Sequence, residues 1–110
     1  MSRNETYNGY NSRETWIVCL WIDNEQSSIE FAVEMAEEFY TNAEENRYFT
    51  KRENATIEFA EYLKDYYEES APLLDECTVW TDLLMHSLQG VDWHEIAGHY
   101  MEQALENVEC

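Results

Sequence analysis

The sequence predicts an all-α fold, a compact bundle of about five helices. Three observations predict it. Apolar residues recur at i, i+3, i+4 and i+7 along most of the chain. Polar capping residues stand where these runs begin. One Pro and three Gly in 110 residues leave little material for the turns of a many-stranded β fold. Residues 1–11 (MSRNETYNGYN) read as a polar lead-in, and residues 12–110 as a single α-helical domain.

The first element covers Ser12 to Ile22, SRETWIVCLWI. Ser12 or Asn11 can cap it, and Glu14 suits the positive end of a helix. Trp16, Cys19 and Leu20 make one face, but Ile17, Val18, Trp21 and Ile22 fill the remainder. A short segment that is apolar all round fits a buried central helix or a buried strand. The helix is preferred because the other segments form an all-α partner set. Asp23-Asn24 reads as a stop and a new cap. A second helix then runs from about Glu25 to Thr41, with Ile29, Ala32, Val33, Ala36 and Phe39/Tyr40 facing the core.

After a polar connection over 42–50, a third helix runs from about Lys51 to Glu69 on Thr56, Phe59, Ala60, Leu63 and Tyr66/Tyr67. Ser70-Ala71-Pro72 ends it, because the residue before a proline disfavours the α region. The fourth helix, about Asp75 to Gln89, is expected to bury Val79, Trp80, Leu83, Leu84 and Leu88, with Gly90 as its C′ residue. The fifth has the cleanest pattern. Asp92 with Glu95 makes a capping-box-like start, and Trp93, Ile96, Ala97, Tyr100, Met101, Ala104, Leu105 and Val108 follow at helical spacing. All four tryptophans, Trp16, Trp21, Trp80 and Trp93, are read as core. Some of Tyr7, Tyr10, Tyr40, Tyr48, Tyr62, Tyr66 and Tyr67 are expected at the surface among carboxylates.

The composition is dominated by charge. Nineteen Glu and five Asp face four Arg and two Lys, a formal charge of −18. A monomer of this mass has roughly 6,400 Å² of surface, so one net charge per about 350 Å². B-DNA carries one per roughly 100 Å². Residues 1–64 hold 13 acids and 6 bases, whereas residues 65–110 hold 11 acids and no Lys or Arg. Such a field repels nucleic acid and acidic membranes and attracts basic surfaces. No stretch approaches the ~20 apolar residues of a membrane span, and no secretory leader pattern follows Met1. A cytoplasmic location is expected. Cys19, Cys77 and Cys110 show no CxxC spacing, so two part-buried thiols and a loose C-terminal one are expected, with no disulfide framework or zinc site.

Catalytic constellations fail on geometry. His94-Glu95-Ile96-Ala97-Gly98-His99 invites a zinc-protease reading, but that motif needs histidines at i and i+4. Here Gly98 holds the i+4 place and His99 lies about 140° around the helix from His94. No nucleophile elbow or phosphate-cradling loop occurs. Neither catalysis, a metal nor a cofactor is expected.

The carboxylates of the second and third helices carry more information. Glu30, Glu34, Glu37 and Glu38, and then Glu58, Glu61, Asp65, Glu68 and Glu69, repeat at three- and four-residue spacings opposite the apolar stripes. With Glu102–Glu106 they make eight like-charged neighbour pairs, which together cost ~2–4 kcal/mol before salt screening. Only Lys64 softens this. Solubility requires a net charge of about 2–8, so the excess points to a use for the charge itself. Carboxylates every ~6 Å along a helix approximate the spacing of phosphates on a nucleic-acid strand. Tyr66 among them could anchor an Arg- or Lys-rich partner.

Two strings also carry a resemblance. Tyr10-Asn11-Ser12-Arg13-Glu14-Thr15-Trp16, continuing to Leu20-Trp21-Ile22-Asp23-Asn24-Glu25, resembles an "N-x-x-E-T-W … L-W-x-x-N-D/E" motif of small acidic proteins from bacteriophages and mobile elements. Thr81-Asp82-Leu83-Leu84 through Val91-Asp92-Trp93-His94-Glu95-Ile96-Ala97 looks like their C-terminal part. The resemblance covers about a third of the chain, transfers no site residues, and implies a phage-type setting in which acidic anti-restriction and anti-CRISPR inhibitors occur. The expected function is therefore an inhibitor that mimics nucleic acid and occupies the basic groove of a CRISPR effector or restriction enzyme. The expected binding residues are Glu30, Glu34, Glu37, Glu38, Glu58, Glu61, Asp65, Tyr66, Glu68 and Glu69. The alternative is a helical adaptor whose acidity only keeps it in solution. Either reading leaves room for a homodimer.

Overall fold

Three hydroxyl side chains start helices in the computed structural model, which describes residues 8–71 and 78–109, with side chains through residue 106. Ser12 Oγ accepts from the Thr15 amide at 3.1 Å to open α1, Arg13–Asp23. Thr50 opens α3, Lys51–Ser70, with a reciprocal box: its Oγ1 accepts from the Glu53 amide at 3.1 Å, and Glu53 Oε1 accepts from the Thr50 amide at 2.8 Å. Thr78 Oγ1 accepts from the Thr81 amide at 3.2 Å and opens α4, Val79–Gln89. Each satisfies an amide that has no partner within its helix. The other two helices are α2, Gln26–Asn42, and α5, Trp93–Glu109. No strand occurs among the described residues.

Helices α2, α3 and α5 pack on one another and form the centre, α1 rests on α2 and α5, and α4 touches the other helices only slightly. Small residues let the central helices approach closely: Ala32, Ala36, Ala55, Ala97 and Ala104 are all buried. Between them runs a chain of rings. Phe39 stacks on Phe59 with centroids 5.6 Å apart, Phe59 and Tyr62 on the same helix also stack, and Tyr67 stacks on Trp93 at 5.4 Å. The α2–α3 connection is held by its own side chains. Asn46 Oδ1 accepts from the Tyr48 and Phe49 amides, and Lys51 Nζ donates to the Ala43 carbonyl at the end of α2.

The all-α bundle of five helices is as expected, and seven of the eight core positions assigned to α5 are buried; the Val108 side chain lies outside the described residues. Several local expectations need correction. The first element is a helix, but it is not central: Ile17, Leu20 and Trp21 face outward, and Trp21 is 69% exposed. Helix α4 begins at Val79 rather than near Asp75, because Thr78 is an extended cap; residues 75–77 lie outside the described residues. Its Val79, Trp80 and Leu83 stand 63%, 65% and 55% exposed instead of buried. Asp23 belongs to α1, and Glu25, not Asp23 or Asn24, precedes α2 as its N-cap. Gly90 is a right-handed C-cap with φ −81°, so left-handed backbone is not what it supplies. A Cβ there would lie 3.1 Å from Glu14 Cδ, the mobile end of a side chain that a few tenths of an ångström of movement would clear. Among the cysteines, Cys19 is buried, whereas Cys77 and Cys110 lie outside the described residues, as does Tyr7.

Candidate partner-binding surface

Helical spacing explains why the acids of α2 and α3 reach solvent. In α2 the core direction is set by Ala32, Ala36 and Phe39, and in α3 by Phe59 and Leu63. Residues about half a turn away must then point outward. Glu30, Glu34, Glu38, Glu58, Glu61, Asp65 and Glu69 are exposed, and Glu37 and Glu68 are half-buried.

The nominated residues do not form one stripe. Glu30, Glu34 and Glu37 line a groove with Ile29, Val33 and Gln103, on the side of α2 that faces α5. Glu68 lines a different groove with Lys64, Met85, Leu88 and Trp93, where α3 meets the end of α4. Glu38 lies, by helical spacing, on the α3 flank of α2; Glu58, Asp65 and Glu69 lie on the α2 flank of α3. Those four border the seam between the two helices. The acids therefore spread over an arc of surface, with the seam at its middle.

The seam itself is aromatic. Tyr66 is exposed, its ring centroid is 6.4 Å from Phe31 of α2 and 6.2 Å from Tyr62, and it meets Tyr67 edge-on at 5.3 Å. A cleft of about 240 Å³ opens here, lined by Phe31, Met35, Leu63, Tyr66 and Tyr67 with Ser27 and Ser28. Rings framed by carboxylates suit a guanidinium, which can stack on a ring face and pair with an acid. Phe31 was not singled out from the sequence; an aromatic one residue after Glu30 and four before Met35 was the signal.

Burial holds several phenol and thiol groups in their neutral forms. Tyr100 is fully buried and its hydroxyl donates to Asp23 Oδ1 at 2.6 Å; burial and that hydrogen bond hold the phenol protonated far above its ordinary range. Burial pushes the Cys19 thiol up to about 11, and Tyr10, which hydrogen-bonds it, up to about 12, again mainly through burial. A thiol so raised is a poor nucleophile. His99 sits against Tyr10 and Tyr100 and pairs with Gln103, whereas His94 is exposed. No group of acids, histidines and cysteines able to hold a metal occurs among the described residues.

A second constellation was invisible in the sequence. Ser12 Oγ donates to the Gly90 carbonyl at 2.6 Å. With its proton so used, it accepts from Thr15 Oγ1 at 2.8 Å. Thr15 Oγ1 in turn accepts from the Asp92 amide at 2.7 Å. Asn11 donates twice, from its amide to Glu95 Oε1 at 3.0 Å and from Nδ2 to Asp92 Oδ2 at 2.7 Å. The expected capping box is thus only half present. Asp92 Oδ1 does accept from the Glu95 amide at 3.0 Å, but Glu95 reaches back to Asn11. This latch joins Asn11-Ser12-Arg13-Glu14-Thr15-Trp16 to Val91-Asp92-Trp93-His94-Glu95, so the two strings are in contact.

A family model matches residues 3–107, nearly the whole chain. The chain belongs to a family of unknown function, DUF7249. No curated protein and no solved structure matches it.

Proposed function

We propose that this DUF7249 member is an inhibitor that works by occupancy. Its acidic α2–α3 surface enters the basic nucleic-acid groove of a host defence complex, a CRISPR effector or a restriction enzyme, and excludes the nucleic acid. One observation carries the reading: two adjacent packed helices present nine carboxylates, seven of them exposed and four bordering an aromatic seam. Rows stepping ~6 Å along helices whose axes lie ~8–10 Å apart offer repeated charge at a density a phosphate-binding groove accepts. The action is binding rather than catalysis, without cofactor or metal. The place of action is the cytoplasm of the host cell, a setting the bacteriophage resemblance supports.

Attraction of this kind raises the association rate and is screened by salt. The test is capture of purified CRISPR effectors and restriction enzymes at rising salt. Binding should weaken steeply with salt and compete with the enzyme's own nucleic acid; affinity indifferent to salt would remove the reading. The adaptor alternative has its own support in the exposed Val79, Trp80 and Leu83 of α4. Glu→Gln changes on α2 and α3 separate the two, since an adaptor that docks through α4 would keep its affinity.

A further inference from the structure

In the cleft between α2 and α3, an exposed ring from each helix stands beside a buried apolar floor. Phe31 and Tyr66 are each 46% exposed, whereas Phe59 and Leu63 in the same lining are buried. The planes of the two exposed rings are tilted by 41°, so neither covers the other face to face. No lining residue is charged, but carboxylates adjoin the cleft. Ser28, in the lining, donates through Oγ to Glu25 Oε1 at 3.3 Å, and Glu69 lies one helical turn beyond Tyr66. Helix α2 holds four carboxylates and no Lys or Arg. The described cations all stand elsewhere. Arg47 lies over Tyr48 and Lys51 over Tyr40, Arg52 shares a groove with His94, and Lys64 shares another with Met85. Arg13 is nine residues along α1 from Ile22, the α1 residue of the lining, a separation of ~13 Å.

We infer that this cleft holds an arginine side chain of a basic partner and anchors the acidic surface to it. The inference rests on the proposed docking against a basic groove, and adds which side chain is read and where. Arginine matches both parts of the site. Its methylene stem lies against Met35 and Leu63, while its planar, weakly hydrated head stacks on a ring and keeps donors for a carboxylate such as Glu25. Lysine is a compact, strongly hydrated charge that gives up more water in the same place and forms no flat stack. A wholly apolar side chain would fill the cleft but gain nothing from the carboxylates around it. The acids of α2 and α3 therefore attract any base, and the cleft discriminates among bases. Arginine on aromatic side chains is also a pairing that dominates the energy of many interfaces.

The test compares hexa-arginine with hexa-lysine, peptides of equal charge, by NMR titration of the full chain over a series of salt concentrations. Hexa-arginine should bind roughly three- to tenfold more tightly, with the ring resonances of Phe31 and Tyr66 shifting. The difference should persist at salt concentrations that release hexa-lysine. Phe31→Leu and Tyr66→Leu should each erase the preference and leave the affinity for hexa-lysine unchanged, whereas Tyr66→Phe should retain it. Circular dichroism confirms that each variant is folded. Equal affinities, no binding of hexa-arginine, or a preference that survives both leucine substitutions overturns the inference. The inhibitor reading fails separately. Equal, salt-sensitive binding of the two peptides removes the arginine cleft and leaves the acidic surface standing. An arginine preference without capture of any CRISPR effector or restriction enzyme removes the inhibitor and leaves the cleft.

Discussion

The three central helices and the two peripheral ones solve opposite problems. Helices α2, α3 and α5 turn alanines and stacked rings inward and carboxylates outward, so burial holds them together while their surface pushes itself apart. Helices α1 and α4 have little charge, yet they leave tryptophans in water. In a small protein the first arrangement spends stability on an exposed field. The second withholds apolar surface that could have added to the core. In each region the departure from a stability optimum lies on the exposed surface. That is where natural chains depart from local consistency.

Removing an aromatic from each region should expose the difference most strongly. Phe59→Ala, at the stacked centre of the bundle, should cost about 3–5 kcal/mol, whereas Trp80→Ala should change the stability of the isolated chain by about 0.5 kcal/mol or less. Urea denaturation at low protein concentration measures both. If the two costs were equal, α4 would be packed in solution and the contrast would fail.

The latch should come next. Thr15→Val keeps the shape of the side chain but leaves the Asp92 amide without its acceptor, which should cost about 1–3 kcal/mol. Hydrogen exchange should speed up at Asp92 and along α1, with α3 unchanged.

Neutralising Glu34, Glu38, Glu61, Asp65 and Glu69 to their amides should have the reverse sign. Relief of seven like-charged neighbour pairs at ~0.2–0.5 kcal/mol per pair predicts a chain more stable by roughly 1–3 kcal/mol before salt screening. The same variant should lose at least about tenfold in affinity for a basic partner. A gain in stability with unchanged binding would favour the adaptor.

The smallest effect is on alkaline stability. Cys19 and Tyr10 are raised in the folded state, to about 11 and about 12, from ordinary values of 9.0 and 10.0. Between the ordinary and the raised values the unfolded chain loses protons that the folded chain keeps, so stability falls as pH rises. Melting temperatures should begin to drop above about pH 9, and Cys19→Ala should blunt the onset. Below that pH these groups contribute no dependence.

Legibility in the sequence followed the same division. In α5 the polar and apolar positions alternate at helical period, so Ile96, Tyr100 and Met101 could be placed inside from spacing alone. In α1 and α4 apolar residues occupy most of the circumference, and periodicity cannot say which side meets the core. Trp21, Trp80 and Leu83 were therefore assigned inward and are found outward. Of the nine acids of α2 and α3 read as facing away from the apolar stripes, seven are exposed, and Glu37 and Glu68 are half-buried in grooves beside neighbouring helices. Their division between the α5 groove, the α4 groove and the seam depends on how helices pack, which no single helix encodes. Ser12 was read as a local cap and Thr15 was given no role; their partners, Gly90 and Asp92, are more than 70 positions away and are recognised only through backbone atoms.

That separation has a bearing on biosynthesis. Ser12 and Thr15 leave the ribosome early, yet the carbonyl and amide they grip are made only when the final helix is about to begin. Until then the first helix can rest only on α2, and the hydroxyls that join it to the last helix have no partners. The latch can therefore close only after nearly the whole chain has been made.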